Sequence, residues 1–571
     1  MQVKEILPNI DLSRWEEQYL EAFGIKDVEE YLYPTYKYVE RPERYDNMEE
    51  GKELLHKILS NQTNHIGIVQ DCDCDGLFSA VMMYNFLKND LKVKNPIFIY
   101  FHSDKKHGIT ENVQNWVLHN EINLLIVPDA GSNDYQTQED LNFLNTHILI
   151  IDHHKIAPYK REYISNYETV VISNQQGWVK NKCLSGTGVV NKFIKYYCNN
   201  IQSCKTSASA KYVDLVAFSL VSDNCNMLSQ ENRDFLMVGT SIVNMQNEFL
   251  AYLNENLNYT NEVTWKSIGF MICPYLNAVC RSNNQQLKAE LFFCFTDGHS
   301  EMFESVLAKI KDQKAIQDKI VAETVKDGCS MVLRTDNVPL LGIKYLENGE
   351  QYPYTGLIAN KLKDETPIVF ATHESNGCVT GSCRSDYEIL ELCQDSGLFE
   401  IAQGHDKAFG IGYKKENEEK IYKYIQDKFT NEKVELPSIP VVKSYDLEKN
   451  DLPKCLFGFA DQWECIWNND LIKPVFAIDF KLNVSDVEVI GKDKKTLRFS
   501  KDGVTFIKFK ESENWLDDMS ERFVLASTIC NLSINYWNGR KYYQAIIEDW
   551  EIKEIPQQVK ETKAISWDDV W

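Results

Sequence analysis

The sequence has no paired cysteine spacing. Its 16 cysteines are scattered from Cys72 to Cys530 with no CxxC pair, so neither a disulfide framework nor a zinc site is written in it. Reduced thiols in a cytoplasmic protein are the expectation. It also has no membrane-length apolar run: the stretch SIGFMICPYLNAVC is broken by Pro274 and Asn277. The first residues, MQVKEILPNID, hold no apolar leader core. Basic residues are in deficit, 61 against 84 acidic ones, for a formal charge of -23. A generally basic nucleic-acid coat is thereby excluded, while a local basic groove or an acidic metal site is not. No internal repeat or low-complexity segment occurs.

What is present is globular: 43% hydrophobic, 25% charged and 12% aromatic residues over 571 positions. That length predicts about three to five units. Residues 1–60 read as an N-terminal helical extension with breaks near Pro34 and Pro42. From 61 to 250, short apolar runs (HIGIVQ, IFIYF, LLIVP, HILII, TVVIS) alternate with amphipathic segments. That texture predicts an α/β unit with a mostly parallel sheet. Residues 251–328 read as a helical connector interrupted at Gly298. Residues 329–435 mix strands (SMVLRT, PIVFAT, GCVTGSC) with helices (TGLIANKLK, YEILELCQ). Residues 436–555 read as short strands of a small β-barrel, and 556–571 as a tail.

The apolar runs of the first α/β unit end on chemistry. HIGIVQ runs into Asp71-Cys72-Asp73-Cys74-Asp75-Gly76, LLIVP into Asp129, and HILII into Asp152-His153-His154. In an open parallel sheet, ligands bind beyond the carboxyl ends of the strands, so these groups should share one edge. Alternate carboxylates repel one another unless a cation neutralises them, and hard oxygen donors suit Mg²⁺ or Mn²⁺. The alternatives are a solvated acidic loop or an EF-hand-like calcium loop, and the apolar helix that follows fits the latter poorly. Asp129, read alone, is better explained as a helix N-cap or turn residue than as a ligand. Asp223, after DLVAFSLVS, is a similar isolated carboxylate. GTGVVN lacks the third glycine of a dinucleotide fingerprint.

Taken together, these motifs resemble the DHH phosphoesterases, and within them the RecJ-type exonucleases. D-x-D-x-D-G, a following Asp, D-H-H and a later Asp occur in that order. LSGTGVVNKF, DLVAFSLVSD with Asn232-Arg233, CPYLNAVCR, GSCRS, QGHDKAFG and SINYWNGRKYYQAIIED extend the resemblance over about residues 20–550. Three positions depart from the pattern: Gln403-Gly404 replaces a double glycine before His405, Cys280 precedes Arg281, and Gln70 precedes the first Asp.

The resemblance implies a DHH catalytic domain, a connecting helix, a DHH-associated α/β domain and a C-terminal OB-fold β-barrel. It implies two divalent cations, Mn²⁺ or Mg²⁺. Asp129 would bridge them, with Asp75, His153 and Asp223 completing one and Asp73 the other. Asp71 would be a further ligand or water-orienting catalytic group, and His154 would contact the scissile phosphate or assist proton transfer. Ser382 and Arg384 would take the 5′-terminal phosphate, and Arg281 and His405 would line the groove. Without the family, Arg384 would read as an ordinary surface ion pair.

The implied activity is 5′→3′ hydrolysis of single-stranded DNA to nucleoside 5′-monophosphates in recombination and repair, with a helicase or single-strand-binding protein as partner and no membrane. Two other readings stand beside it: a phosphodiesterase for oligonucleotides or cyclic dinucleotides, and a decayed DHH scaffold or inhibitor. Between Lys492 and Lys510, seven basic residues (Lys492, Lys494, Lys495, Arg498, Lys501, Lys508, Lys510) interleave with Phe499, Phe506 and Phe509. Such a pattern fits either strand gripping or a solvated hairpin with buried rings. The tail bearing Trp567, Asp568, Asp569 and Trp571 reads as a frayed terminus, or as a segment that docks on a partner or on the barrel.

Overall fold

His65–Gln70, Ile97–Phe101, Ile122–Pro128, His147–Asp152 and Thr169–Ser173 are five strands of near-continuous apolar residues, the pattern of a sheet covered on both faces. They form one wholly parallel sheet in the order 97–101, 65–70, 122–128, 147–152, 169–173. The chain order reverses between strands 65–70 and 122–128, which stand side by side. This is the topological switch point, where a doubly wound sheet opens a crevice at its carboxyl edge. Helices Cys74–Asn85, Gly186–Asn200 and Val213–Ser222 pack on one face, and their apolar residues merge into a single core with the sheet. Val113, Val117 and Leu141 cover the other face.

The computed structural model describes residues 2–103, 106–158, 167–241, 245–260, 262–296, 298–335, 338–431, 438–492, 494–511, 523–537 and 540–554. The tail 556–571 and Asp493 lie outside them. The connector holds the helices Glu248–Leu257, Trp265–Ser267, Cys273–Cys280, Gln285–Cys294 and Phe303–Val325, with Gly298 in the left-handed region before the last of them. A six-stranded sheet follows, in the order 401–405, 408–414, 378–385, 368–375, 338–345, 331–335. It is antiparallel except where Val338–Tyr345 runs parallel to Ile368–Ser375. The strand Val338–Tyr345 and the helix Glu418–Asn431 complete this part, and neither was singled out by its sequence pattern.

Contacts divide the chain into two compact units, residues 34–434 and residues 1–33 with 435–571. The segment 1–60, expected as one helical extension, is therefore split. Its first part contributes a strand, Val3–Glu5, parallel to Ile439–Val441. Trp15 donates from Nε1 to Cys455 O and meets Phe459 and Phe476 edge-on, while Tyr19 donates to Ile472 O. Buried aromatics, more than helix propensity, fix these residues to the C-terminal unit. That unit holds a seven-stranded, mostly antiparallel sheet in the order 444–446, 476–483, 523–537, 540–554, 504–509, 496–501, 488–490.

The expectation of wholly reduced thiols is corrected at one place: Cys198 and Cys204 form a disulfide, and the other fourteen cysteines are free. They lie six residues apart at the end of helix Gly186–Asn200, a spacing with no motif to announce it.

Candidate metal centre

Strand 65–70 delivers Asp71 to the crevice, and helix Cys74–Asn85 starts three residues later with Asp73 as its N-cap, accepting from Gly76 N at 3.1 Å. Asp75 lies in the first turn, where the helix dipole favours a carboxylate. Gly76 is needed for closeness rather than for a left-handed turn: a Cβ there would lie 2.6 Å from Asp71 Cβ and 2.8 Å from its Cα. Asp75 is held from the opposite side by the start of helix Gly186–Asn200. Gly186 N donates to Oδ2 and Thr187 N to Oδ1, each at 2.8 Å, and the Thr187 hydroxyl donates as well.

Asp129 is not an N-cap. It sits in the left-handed region (φ 66°), a conformation Asp tolerates better than most residues, and its N–H donates to Ile151 O of the adjacent strand at 2.8 Å. This turn drives the carboxylate into the crevice, 2% exposed.

At the next strand end, Asp152 accepts three hydrogen bonds at Oδ1: from His153 N (2.7 Å), His154 N (3.2 Å) and His154 Nδ1 (2.8 Å). Ser132 N donates to Oδ2. The buried Asp152 thus shapes the turn that aims both imidazoles. Asp223 is the C-cap of helix Val213–Ser222 and comes from the other side of the core.

These elements converge on His153. Its Nε2 lies 3.2 Å from Asp129 Oδ1, 3.8 Å from Asp223 Oδ2 and 4.0 Å from Asp75 Oδ2. Asp129 Oδ1 is buried yet has no hydrogen-bond partner. A second group, Asp71, Asp73 and Asp129, gathers its oxygens within 4.8 Å, as do Asp75, His153 and Asp223. Asp129 is thus adjacent to both sets. The orphaned oxygen and the mixed carboxylate–imidazole donors fit divalent cations. The solvated-loop and EF-hand readings of 71–76 do not describe this buried geometry.

The electrostatics agree. Burial, then the charges of Asp75, Asp73, Asp71 and Asp223, push the Asp129 carboxyl well above the usual range. Burial also raises Asp75, assisted by Asp223 and opposed by His153. Asp71 goes the other way. Burial pushes it up, but the charge and hydrogen bond of His107, with help from His102 and His154, hold it low.

His107 was not found from sequence. Its Nδ1 lies 2.6 Å from Asp71 Oδ2, while Gly108 N donates to Asp71 Oδ1 at 3.3 Å. The available signal was position, since His107-Gly108 follows the strand Ile97–Phe101 and so belongs to a fourth strand end. Asp152 was read as part of its triplet, but its hinge role is a tertiary fact.

The candidate substrate residues form a separate group. Asn277 Oδ1 accepts from Cys74 N at 3.1 Å, which ties helix Cys273–Cys280 to the aspartate loop and sets Arg281, its C-cap, beside that loop. Arg281 Nε is buried without a partner. Arg384, on strand Cys378–Ser385, donates from Nη1 to Cys383 O at 2.7 Å. No carboxylate pairs with it among the described residues, so it is not a surface ion pair. Burial, with the positive charge of Arg281 adding to it, lowers its pKa, so two guanidiniums stand near each other. A Cβ at Gly356 would meet Arg384 Nη2 at 2.6 Å, so a side chain there would displace the guanidinium. Ser382 is buried and shares a 2.8 Å hydrogen bond with Thr355 Oγ1. His405 ends strand Ile401–His405 opposite Ala408, which also pairs with Arg384.

In the C-terminal unit the seven basic residues are not uniformly available. Arg498 pairs with Glu488, Lys501 with Glu448, and Lys508 donates to Glu548 O. Phe499 and Phe506 stack at 5.2 Å inside the core beside Phe480, whereas Phe509 is 52% exposed.

Comparison with known proteins agrees with this architecture. The N-terminal domain of the DHH family matches residues 65–220, and the RecJ OB domain matches residues 467–549. The SPbeta prophage-derived YorK protein of Bacillus subtilis, named as a candidate single-strand DNA-specific exonuclease, is 25% identical over 573 aligned residues, covering 94% of this chain and 96% of the relative. The single-stranded-DNA-specific exonuclease RecJ of Bacillus subtilis is 24% identical, covering 90% of this chain and 64% of the relative. The crystal structure of RecJ with Mn²⁺ from Thermus thermophilus superposes with a TM-score of 0.71 at 17% identity, over 97% of this chain and 79% of that one. No helix among the described residues is long and apolar enough to cross a membrane. One chain thus carries matches both to the N-terminal domain of the DHH family and to the RecJ OB domain, the pair of modules that its sequence motifs resemble.

Proposed function

We propose that this chain is a metal-dependent exonuclease that degrades single-stranded DNA in the 5′→3′ direction to nucleoside 5′-monophosphates, in recombination and repair. One observation carries the chemistry: three carboxylate oxygens from three elements surround His153 Nε2, and one of them, Asp129 Oδ1, is buried and unpartnered. Two divalent cations, Mn²⁺ or Mg²⁺, suit these donors. Asp75, Asp129, His153 and Asp223 would hold one, and Asp73 and Asp129 the other. Bound there, such ions supply an activated water and neutralise charge on the phosphoryl oxygens.

The remaining work falls to the chain. Asp152 fixes the rotamer of His154, leaving its Nε2 to meet the scissile phosphate or move a proton. Asp71, oriented by His107 and Gly108, sits where it orients the attacking water or adds a ligand. Arg281 and Arg384, lacking carboxylate partners among the described residues, with Ser382 between strands, make the chemistry of a terminal-phosphate pocket, and His405, at the end of its strand, is the further residue we propose for the groove. Planar guanidinium forks match phosphate oxygens.

An exonuclease confined to single strands depends on another protein to open duplex DNA, so a helicase or single-strand-binding protein is the partner class we propose. The fourteen free thiols support a reducing compartment, the cytoplasm.

The decisive experiment compares 5′-phosphorylated and 5′-blocked single strands with Mn²⁺ and with EDTA. The expected outcome is stepwise release of mononucleotides from the phosphorylated strand with Mn²⁺ alone. Turnover of dinucleotides but not long strands would replace this reading with a small-substrate phosphodiesterase. Absence of both metal binding and turnover would replace it with a scaffold.

A further inference from the structure

The chain carries a formal charge of -23, yet one groove of about 630 Å³ in unit 34–434 is lined by cations. Lys37, Arg41 and Arg44 come from one wall and Lys180 and Lys182 from the other, with Tyr38 beside them. The two acids on its lining are consumed internally. Both Glu40 carboxylate oxygens accept from Lys180 N, at 3.0 and 3.1 Å. Glu231 accepts from Glu40 N at 2.8 Å and from Asn181 Nδ2 at 3.0 Å, and it pairs with the buried Lys192. Arg41, Arg44 and Lys180 are exposed and have no carboxylate within ion-pair distance among the described residues. Trp178, whose N–H donates to Arg44 O, is 87% exposed. Cations along a groove with an exposed indole at hand are the elements of a single-strand track.

Its position gives it a direction. Gln175 Nε2 donates both to His153 O (2.9 Å) and to Lys182 O (2.8 Å), so the groove wall is one side chain from the metal centre. Asn226, also on the lining, lies three residues beyond Asp223. The Arg281 pocket adjoins the loop at strand 65–70, whereas the groove lies beyond strand 169–173. In the sheet these strands are three spacings apart, roughly 14 Å, with the ends of strands 122–128 and 147–152 between them. A strand whose 5′ end rests at Arg281 and Arg384, and whose scissile phosphate lies over the carboxylates, leaves on the side where the groove begins. We infer that this groove binds the phosphate backbone of the DNA strand on the 3′ side of the scissile bond. The inference rests on the exonuclease reading above.

The test is the triple variant Arg41→Gln, Arg44→Gln, Lys180→Gln, whose altered side chains are exposed. Binding of a 3′-labelled, 5′-phosphorylated thymidine strand of about twenty nucleotides is measured by anisotropy in EDTA, and turnover with Mn²⁺ is compared between that strand and a 5′-phosphorylated dinucleotide. The strand should bind about tenfold more weakly or worse, and the slope of log affinity against log salt should flatten by about 2, at roughly 0.7 per lost phosphate contact. The KM for the dinucleotide should stay within about twofold, because it ends before the groove. The variant Arg41→Lys, Arg44→Lys should retain strand affinity. Unchanged strand affinity and salt slope would overturn the inference, as would an equal loss on the dinucleotide. If the native protein cut neither substrate, the exonuclease reading would fall while the anisotropy result would still decide the groove.

Discussion

His153 Nε2 and Asp129 Oδ1 face each other at 3.2 Å without a hydrogen bond between them. A donor and an acceptor so placed in a buried site are both aimed at a third body. Burial, and then the charges of the neighbouring carboxylates, make the ionised Asp129 unfavourable, a cost that a bound cation would offset.

Asp129→Asn tests this in two directions. A carboxyl whose folded value lies above its unfolded one destabilises the fold once pH exceeds the unfolded value, and fully above the folded value. In EDTA at pH 8 the variant should therefore unfold at a higher temperature than the native protein. With Mn²⁺ the order should reverse, and turnover should fall by roughly a thousandfold or more, the scale of several kcal/mol of lost charge stabilisation. A native-like response to Mn²⁺ in calorimetry and in the nuclease assay would dissolve the assigned centre.

Gly186→Ala places a methyl 2.3 Å from Asp129 Oδ1 and 2.7 Å from its Cβ. Alanine suits the helix, so the protein should fold, yet the carboxylate must move. A displacement of about 1 Å in such a site costs roughly a hundredfold in kcat. Titrating activity against Mn²⁺ should show a weaker midpoint as well. Native kinetics would mean that Asp129 has slack that its burial does not suggest.

The Asp152–His154 pair sets a pH window. Burial works against charge on both, but their hydrogen bond and mutual attraction prevail: Asp152 is held well below its ordinary 3.8 and His154 is raised to about 9. His154 contributes stability that is complete below 6.5 and is lost as pH rises through about 9. Asp152 contributes above 3.8 and loses it only in strong acid. The metal-free protein should lose thermal stability between pH 7 and 9.5, and Asp152→Asn should flatten that decline. Parallel pH profiles for the two proteins would remove the pair as its source.

Arg384→Ala and Ser382→Ala should erase the preference for 5′-phosphorylated over 5′-hydroxyl strands. Hydrogen bonds to charged groups contribute about 1.5–3 kcal/mol each, roughly ten- to a hundredfold in kcat/KM. The hydroxyl strand should be cut at its native rate. An equal drop on both strands would reassign these residues to the fold.

Phe509 and Phe506 stand three residues apart on one strand and should behave oppositely. Phe509→Ala should weaken binding of a long strand by about 1–3 kcal/mol, the scale of one base stack, and leave unfolding unchanged. Phe506→Ala should destabilise the C-terminal unit by about 3–5 kcal/mol through a core cavity. Denaturant titration and strand binding of both variants separate the roles.

Much of this molecule was legible in advance because strands buried on both faces must be apolar, and an acid that ends such a run stands out. All five strands of the parallel sheet and the loop 71–76 could be read in this way. A lone Asp after a strand could not be told from a turn residue, since only the neighbouring strand end brings Asp129 beside His153 and the loop 71–76. His107 carried no pattern, because its partner Asp71 is 36 residues away. Gly76 suggested a turn but serves a close approach. The rings of Phe499 and Phe506 looked as available as Phe509 until the register of the sheet turned them inward.

Local order in the chain determined the alternation of strand and helix, the carboxyl-edge acids and the deficit of positive charge, since each follows from periodicity or composition within a few residues. Packing across long separations decided the rest. It drew residues 1–33 onto the C-terminal unit, brought two distant guanidiniums near each other, and collected the cations of 37–44 and 180–182 along the two walls of one groove. Such meetings depend on which surfaces bury best against one another, a property of the assembled fold that no short window of residues contains.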